Sequence, residues 1–104
     1  MDLKTARVLL TGGAGGIGAA IAEALLAKGA AVLLVDMNET ALQRFFSERL
    51  APYGERVACI AANLTKAEDR DRVCEQARNF DGGINVLINN AGISHFRLLD
   101  EQSP

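Results

Sequence analysis

Histidine, tyrosine and cysteine are scarce in this chain, and a surplus of positive charge is missing: it has one histidine, one tyrosine and two cysteines, with 11 basic against 13 acidic residues. A net charge of −2 with both signs interspersed leaves no basic stripe to neutralise a phosphate backbone, so nucleic acid is not an expected partner. Cys59 and Cys74 have neither Cys-x-x-Cys spacing nor companion histidines, which argues against a metal ribbon or a disulfide framework. They read as two reduced, buried thiols, and no metal centre is expected. No apolar run approaches the ~18 residues of a membrane span. The start Met1-Asp2-Leu3-Lys4-Thr5 carries no basic segment followed by an apolar one. The expectation is a cytoplasmic protein with no membrane partner.

What is present is an ordinary globular composition, 49% hydrophobic and 23% charged over 104 residues, enough for one domain, residues 1–104, with its own core. Ala6 to Leu10 is a short, nearly continuous apolar run, the pattern of a strand buried on both faces of a parallel sheet. A helix follows from Ile17, with Ile21, Ala24, Leu25 and Ala27 at helical spacing and Gly29 placed to end it in the left-handed conformation. Ala31 to Val35 is a second buried strand, ending on Asp36. Asn38 is placed to cap a second helix whose inner face is Leu42, Phe45, Phe46 and Leu50, closed by Pro52 to Gly54. Val57 to Ala62 makes a third strand. Thr65 and Glu68 stand in capping-box relation for a third helix that turns Val73, Ala77 and Phe80 inward. Asp81-Gly82-Gly83 breaks it before a fourth strand, Val86-Leu87-Ile88. Four strands alternating with three helices predict an α/β, Rossmann-like, three-layer fold around a parallel sheet, half of a doubly wound architecture.

The glycine run Thr11-Gly12-Gly13-Ala14-Gly15-Gly16-Ile17-Gly18 lies between the first strand and the first helix, the context that makes such a run a phosphate-binding turn. Gly13, Gly15 and Gly18 fit the Gly-x-Gly-x-x-Gly pattern as one of several overlapping registers. Gly12 permits the tight reversal at the strand end, Gly16 lets the backbone approach a pyrophosphate, and Gly18 lets the helix pack close to the sheet. Backbone N–H groups at the helix start, including that of Ile17, then face the phosphates with the positive end of the helix dipole. Asp36, at the end of the second strand, is placed to accept hydrogen bonds from the adenosine ribose hydroxyls and to repel a 2′-phosphate. No cation sits in the turn, and Met37 follows Asp36. The expected cofactor is therefore NAD rather than NADP.

With Thr11 before Gly12 and the later run Asn89-Asn90-Ala91-Gly92, the sequence resembles the short-chain dehydrogenase/reductase family, NAD(P)-dependent oxidoreductases acting mainly on alcohols and ketones. The pattern Thr-Gly-x-x-x-Gly-x-Gly is met by Thr11, Gly12, Gly16 and Gly18. Gly15 would also satisfy the Thr-Gly-x-x-Gly-x-x-Gly variant of a longer, epimerase-like branch, but Asn-Asn-Ala-Gly argues for the short one. The resemblance implies that Asn90 contacts the cofactor, that Asn89 ties the central strands together, and that Ala91-Gly92 pass close to the adenosine side. It places Asn63-Leu64 near the adenine, where the family usually has an acid followed by an apolar residue. The Asn63 carbonyl oxygen can still accept from an exocyclic amine, so weakened rather than lost recognition is expected.

The family's catalytic serine and its Tyr-x-x-x-Lys pair fall in segments beyond these motifs. Tyr53 is the sole tyrosine, and Val57 stands where that pattern would need lysine, so no catalytic residue transfers. The sequence reads as the NAD-binding portion of a short-chain oxidoreductase, with an alcohol or ketone substrate belonging to a full-length parent. The alternative is a non-catalytic NAD-binding module or a partner of a full-length relative. His95 reads as an exposed loop residue rather than a base, Phe45 and Phe46 as packing, and Glu68-Asp69-Arg70-Asp71-Arg72 as a solvated helix face with local ion pairs. An unpaired edge along Val86 to Asn89 predicts self-association of the isolated chain.

Overall fold

The structure, a computed structural model, describes residues 2–90. A single 3₁₀ turn, Leu3–Thr5, precedes β1, Arg7–Thr11. Then come α1, Gly16–Ala27, and β2, Ala31–Asp36. Next are α2, Glu39–Phe45, β3, Val57–Ala61, α3, Ala67–Asn79, and β4, Val86–Asn89. All strand pairs are parallel, in the order β3-β2-β1-β4, with Arg7 opposite Ala31, Val8 opposite Val86 and Val32 opposite Val57. This is the expected α/β fold.

The unbroken apolar runs of β1 and β2 are explained by layers on both faces. Val8, Leu10, Val32 and Leu34 pack with Ala22 and Leu26 of α1 and Leu42 and Phe45 of α2. Leu9, Leu33 and Val35 point the other way, onto Val73, Cys74 and Ala77 of α3. Three layers follow from that alternation.

Several local expectations are met. The Asn38 side chain accepts from the Ala41 N–H at 3.0 Å, capping α2. Gly29, with φ 99°, ends α1, and the Ala30 N–H returns to the Leu25 carbonyl at 3.1 Å. Asp81-Gly82-Gly83 runs through three successive positive φ values, 49°, 86° and 109°, and ends the helical path beyond α3.

Others are corrected. β1 starts one residue later than expected and takes in Thr11, which is fully buried; β3 stops at Ala61. The buried line of α1 is Gly18, Ala22 and Leu26, whereas Ala24 and Ala27 are exposed. That helix is apolar nearly all round, so periodicity does not locate its inner face. Beyond Phe45 the helical path of α2 widens into a π turn, Phe46–Leu50, and then tightens into a 3₁₀ segment, Ala51–Arg56, around Pro52. The capping box does not form: α3 starts after Lys66 with no side-chain cap, because the Thr65 hydroxyl is spent on the Asn63 amide oxygen, 2.6 Å away. Cys74 is buried, but Cys59 is only half-buried, with its thiol pushed up to about 11 by burial and so uncharged near neutrality.

Arg56, which sequence reading passed over, lies 5.5 Å from the Tyr53 ring centre and donates to the Leu26 and Ala30 carbonyls at 3.0 Å each. Those carbonyls lie at and just beyond the end of α1, where the Leu26 carbonyl also accepts from the Gly29 N–H at 3.1 Å. Among the described residues, no helix is long and apolar enough to cross a membrane.

Candidate functional site

At the carboxyl ends of β1, β2 and β3, where open parallel sheets take their ligands, a cleft of about 490 Å³ lies between the glycine turn and the segment after β3. Gly12, Asp36 and Met37 line one side; Ala62, Asn63, Leu64 and Thr65 line the other.

The turn is tied to β2 before any ligand arrives. Its Gly12 and Gly13 N–H groups donate to the Val35 carbonyl at 2.7 and 3.3 Å, and the Ala14 N–H donates to Asp36 Oδ2 at 3.1 Å. Gly12 has φ 71°, the left-handed value that the reversal out of β1 requires. At Gly18 the requirement is spatial: a Cβ built there would clash with the Gly12 carbonyl oxygen and lie 2.9 Å from the Asn90 amide nitrogen. Helix α1 therefore rests directly on the turn. Gly15 precedes it with no side-chain cap, and its first turn carries no acid. Gly15, Gly16 and Ile17 are exposed, so the first N–H groups of a twelve-residue helix open outward with the positive end of its dipole.

Asp36 is pinned from two directions. Oδ2 accepts from Ala14 as above, and Oδ1 accepts from the Asn38 N–H at 2.9 Å. A carboxylate offers about four lone-pair positions, so two remain for hydroxyl donors in the cleft. The two exposed large apolar side chains among the described residues are Ile17, 72% accessible, and Met37, 70% accessible. Both stand at this site, the one at the helix start and the other on the cleft wall.

From the edge of the sheet, β4 and the residue that follows it contribute two asparagines. Asn89 Oδ1 accepts from the buried Thr11 hydroxyl at 2.8 Å, fastening β4 to β1 as the resemblance implied. The Asn90 amide donates to the Gly12 carbonyl at 3.2 Å, so this side chain braces the turn itself. Ala91, Gly92, His95 and the Ser103-Pro104 end lie outside the described residues.

The Asn63 amide oxygen does not face an open position. It accepts from both the Thr65 N–H, at 3.1 Å, and the Thr65 hydroxyl. The expectation that this oxygen is on offer to an adenine amine is corrected accordingly, since its local turn already uses both lone pairs. The larger surprise is the charged run of α3. Asp69 Oδ2 accepts from the Asn63 N–H at 2.7 Å, Arg70 donates to the Leu64 carbonyl at 3.0 Å, and Arg72 donates to the Ala61 carbonyl at 2.9 Å. The local ion pair expected of this run forms, Arg72 to Asp69 at 3.5 Å, and Arg72 stays exposed; what sequence reading missed is that Asp69, Arg70 and Arg72 also hold neighbouring backbone.

The bond from Asn63 holds the Asp69 carboxyl below its usual range; desolvation opposes it, and Arg72 and then Lys66 add to the lowering. Because the folded value is the lower one, this stabilising contribution is complete above the ordinary carboxylate value of ~3.9. It is lost as pH falls through the depressed folded value.

A family model described as short chain dehydrogenase matches residues 6–104. The 3beta-hydroxysteroid dehydrogenase 2 of Eggerthella lenta is 35% identical over 85 residues, covering 82% of this chain and 32% of that protein. The crystal structure of a short-chain dehydrogenase/reductase, glucose/ribitol dehydrogenase, from Brucella melitensis superposes with a TM-score of 0.73 at 36% identity, over 84% of this chain and 36% of that one. The L-sorbose reductase of Gluconobacter frateurii, solved with NADPH and L-sorbose, gives a TM-score of 0.73 at 33% identity, over 86% of this chain and 35% of that one. The chain thus spans about a third of the length of these relatives.

Proposed function

Because the chain belongs to the short-chain dehydrogenase family, whose members use nicotinamide cofactors, we propose that it is the NAD-binding portion of an oxidoreductase transferring hydride between NAD(H) and an alcohol or ketone. The observation that carries the choice of NAD is the Asp36 carboxylate, fixed at the rim of the cleft by the Ala14 and Asn38 N–H groups. A negative group held there favours ribose hydroxyls over a 2′-phosphate, and the next residue, Met37, supplies no compensating cation.

The residues present fit a dinucleotide. The uncapped start of α1, at Gly15, Gly16, Ile17 and Gly18, would hold the pyrophosphate, and the absence of a Cβ at Gly18 is what allows helix and turn to meet there. Asp36 would hold the ribose, and Asn63 and Leu64 would border the adenine. Asn90 would hold the turn in place at the inner end of the site. The bound cofactor supplies the hydride-accepting ring. This chain's own residues bind and orient the nucleotide half, and the catalytic groups are proposed to belong to the longer protein. The alcohol or ketone class is supported by the relatives' names, a hydroxysteroid dehydrogenase and a sorbose reductase.

Calorimetric titration tests this reading. NAD is expected to bind with micromolar affinity and NADP at least tenfold more weakly. Equal or tighter binding of NADP would overturn the choice of cofactor, and binding of neither would overturn the nucleotide site.

We also propose that the isolated 104-residue chain self-associates. Within the described residues β4 pairs with β1 on one side only, and Val86, Leu87 and Ile88 are half-exposed, an apolar edge open to strand addition. Light scattering is expected to show mass above that of the 11.1 kDa chain at high concentration, and a clean monomer would contradict it.

A further inference from the structure

We propose that Asp69, Arg70 and Arg72 are positioning residues for the adenine end of the cleft, acting through the backbone of residues 61–64. The inference rests on the nucleotide reading of that cleft. Three side chains from the first half of α3 take three polar backbone groups in this short stretch: the Ala61 carbonyl, the Asn63 N–H and the Leu64 carbonyl. Arg72 also lies 3.5 Å from Asp69, so the cation and the anion of the clamp support one another. Further along the same helix, the Glu75–Arg78 pair at 3.3 Å stays on the helix surface. The grip is therefore confined to the end of α3 that adjoins the cleft.

From the opposite side, the Ala62 N–H donates to the Asp36 carbonyl at 3.0 Å, and the Lys66 N–H closes on the Asn63 carbonyl at 3.0 Å. The segment is consequently held from behind and at both ends while Ala62, Asn63, Leu64 and Thr65 face the ligand space. A loop ordered in advance spares the ligand the entropy of ordering it, and fixes which backbone and side-chain groups a planar base meets. The clamp thus governs both affinity for the adenine half and discrimination between bases. None of its three side chains lines the cleft, which separates positioning from direct contact.

The test uses adenosine 5′-monophosphate and inosine 5′-monophosphate, nucleotides that differ in the base, titrated into the unaltered chain and into Asp69→Ala, Asp69→Asn and Arg72→Ala. Asp69→Ala is expected to weaken the adenine nucleotide by roughly three- to tenfold, the scale of one backbone hydrogen bond, and to bring the ratio of the two affinities toward one. Asp69→Asn keeps an acceptor for the Asn63 N–H and should restore the ratio. Arg72→Ala, at an exposed position, should narrow the ratio with the thermal midpoint little changed; it carries the test if Asp69→Ala fails to fold. A purely structural role would lower the midpoint without altering base preference. Unaltered affinity and ratio in Arg72→Ala and in a folded Asp69→Ala would overturn the proposal. Failure of the unaltered chain to bind either nucleotide would instead overturn the nucleotide reading on which it rests.

Discussion

Replacing Gly18 with valine is expected to cost most of the affinity for NAD and a large part of the stability of the fold. The added Cβ has no vacancy to enter: it would clash with the Gly12 carbonyl oxygen and crowd the Asn90 amide. A flexible side-chain tip can swing aside, but this neighbour is backbone. Gly12 is moreover held by its own N–H on the Val35 carbonyl at 2.7 Å. Either α1 lifts off the turn or the turn leaves β2, and both displace the N–H groups proposed to face the pyrophosphate. Overpacking of this kind costs about 1–3 kcal/mol, and a distortion of that energy borne by the binding-competent turn corresponds to roughly 5- to 150-fold in affinity. Urea denaturation and NAD titration of the variant measure the two effects. A variant with unchanged midpoint and unchanged affinity would show that the helix does not rest on the turn as described.

Asp36→Ala comes second in expected size, because one carboxylate serves two purposes. Before ligand binds it accepts from Ala14 in the turn and from Asn38 ahead of α2. With ligand bound it is proposed to accept from the ribose hydroxyls as well. Charge-assisted hydrogen bonds contribute about 1.5–3 kcal/mol when both partners are well placed, so NAD affinity should fall on the order of 10- to 100-fold. NADP should lose less, since the substitution also removes the repulsion of its 2′-phosphate. The decisive measurement is therefore the ratio of the two affinities, which should move toward NADP. An unchanged ratio would mean that Asp36 acts only as a brace for the turn. Asp36→Asn refines the comparison: it keeps an acceptor while discarding the charge, and should lose discrimination more than affinity.

Much of this was legible in the chain because it rests on local chemistry. The glycine turn declares itself through residues that only its backbone path and helix contact require, and Asn38 through the acceptor that a helix start needs. The layered core shows in the unbroken apolar runs of β1 and β2. The clamp on residues 61–64 was not legible. An alternating charged run has the same sequence appearance whether its side chains meet water or a neighbouring backbone carbonyl, and only the placement of α3 against the end of β3 decides which. The Thr65–Glu68 spacing misled for a related reason: it records that a hydroxyl is available three residues before an acid, but not that Asn63 claims the hydroxyl first. In α1 the line of contact was hidden because small apolar residues surround the helix, leaving the close approach at Gly18, Ala22 and Leu26 without contrast.

The strand order also bears on how the molecule assembles. β1 meets β2 across a separation of 24 positions, Arg7 to Ala31, but meets β4 across 78, Thr11 to Asn89. Closing the longer loop costs about 1 kcal/mol more in chain entropy than closing the shorter one, and contacts between distant positions slow folding. The first β-α-β unit can thus close early and carry a glycine turn already stitched to β2, while Asn89 and Asn90 reach β1 only when the last pairing forms. The turn receives its final brace, from Asn90 to the Gly12 carbonyl, in the same event that completes the sheet, so a chain caught before that step would carry the glycine sequence without the finished cradle.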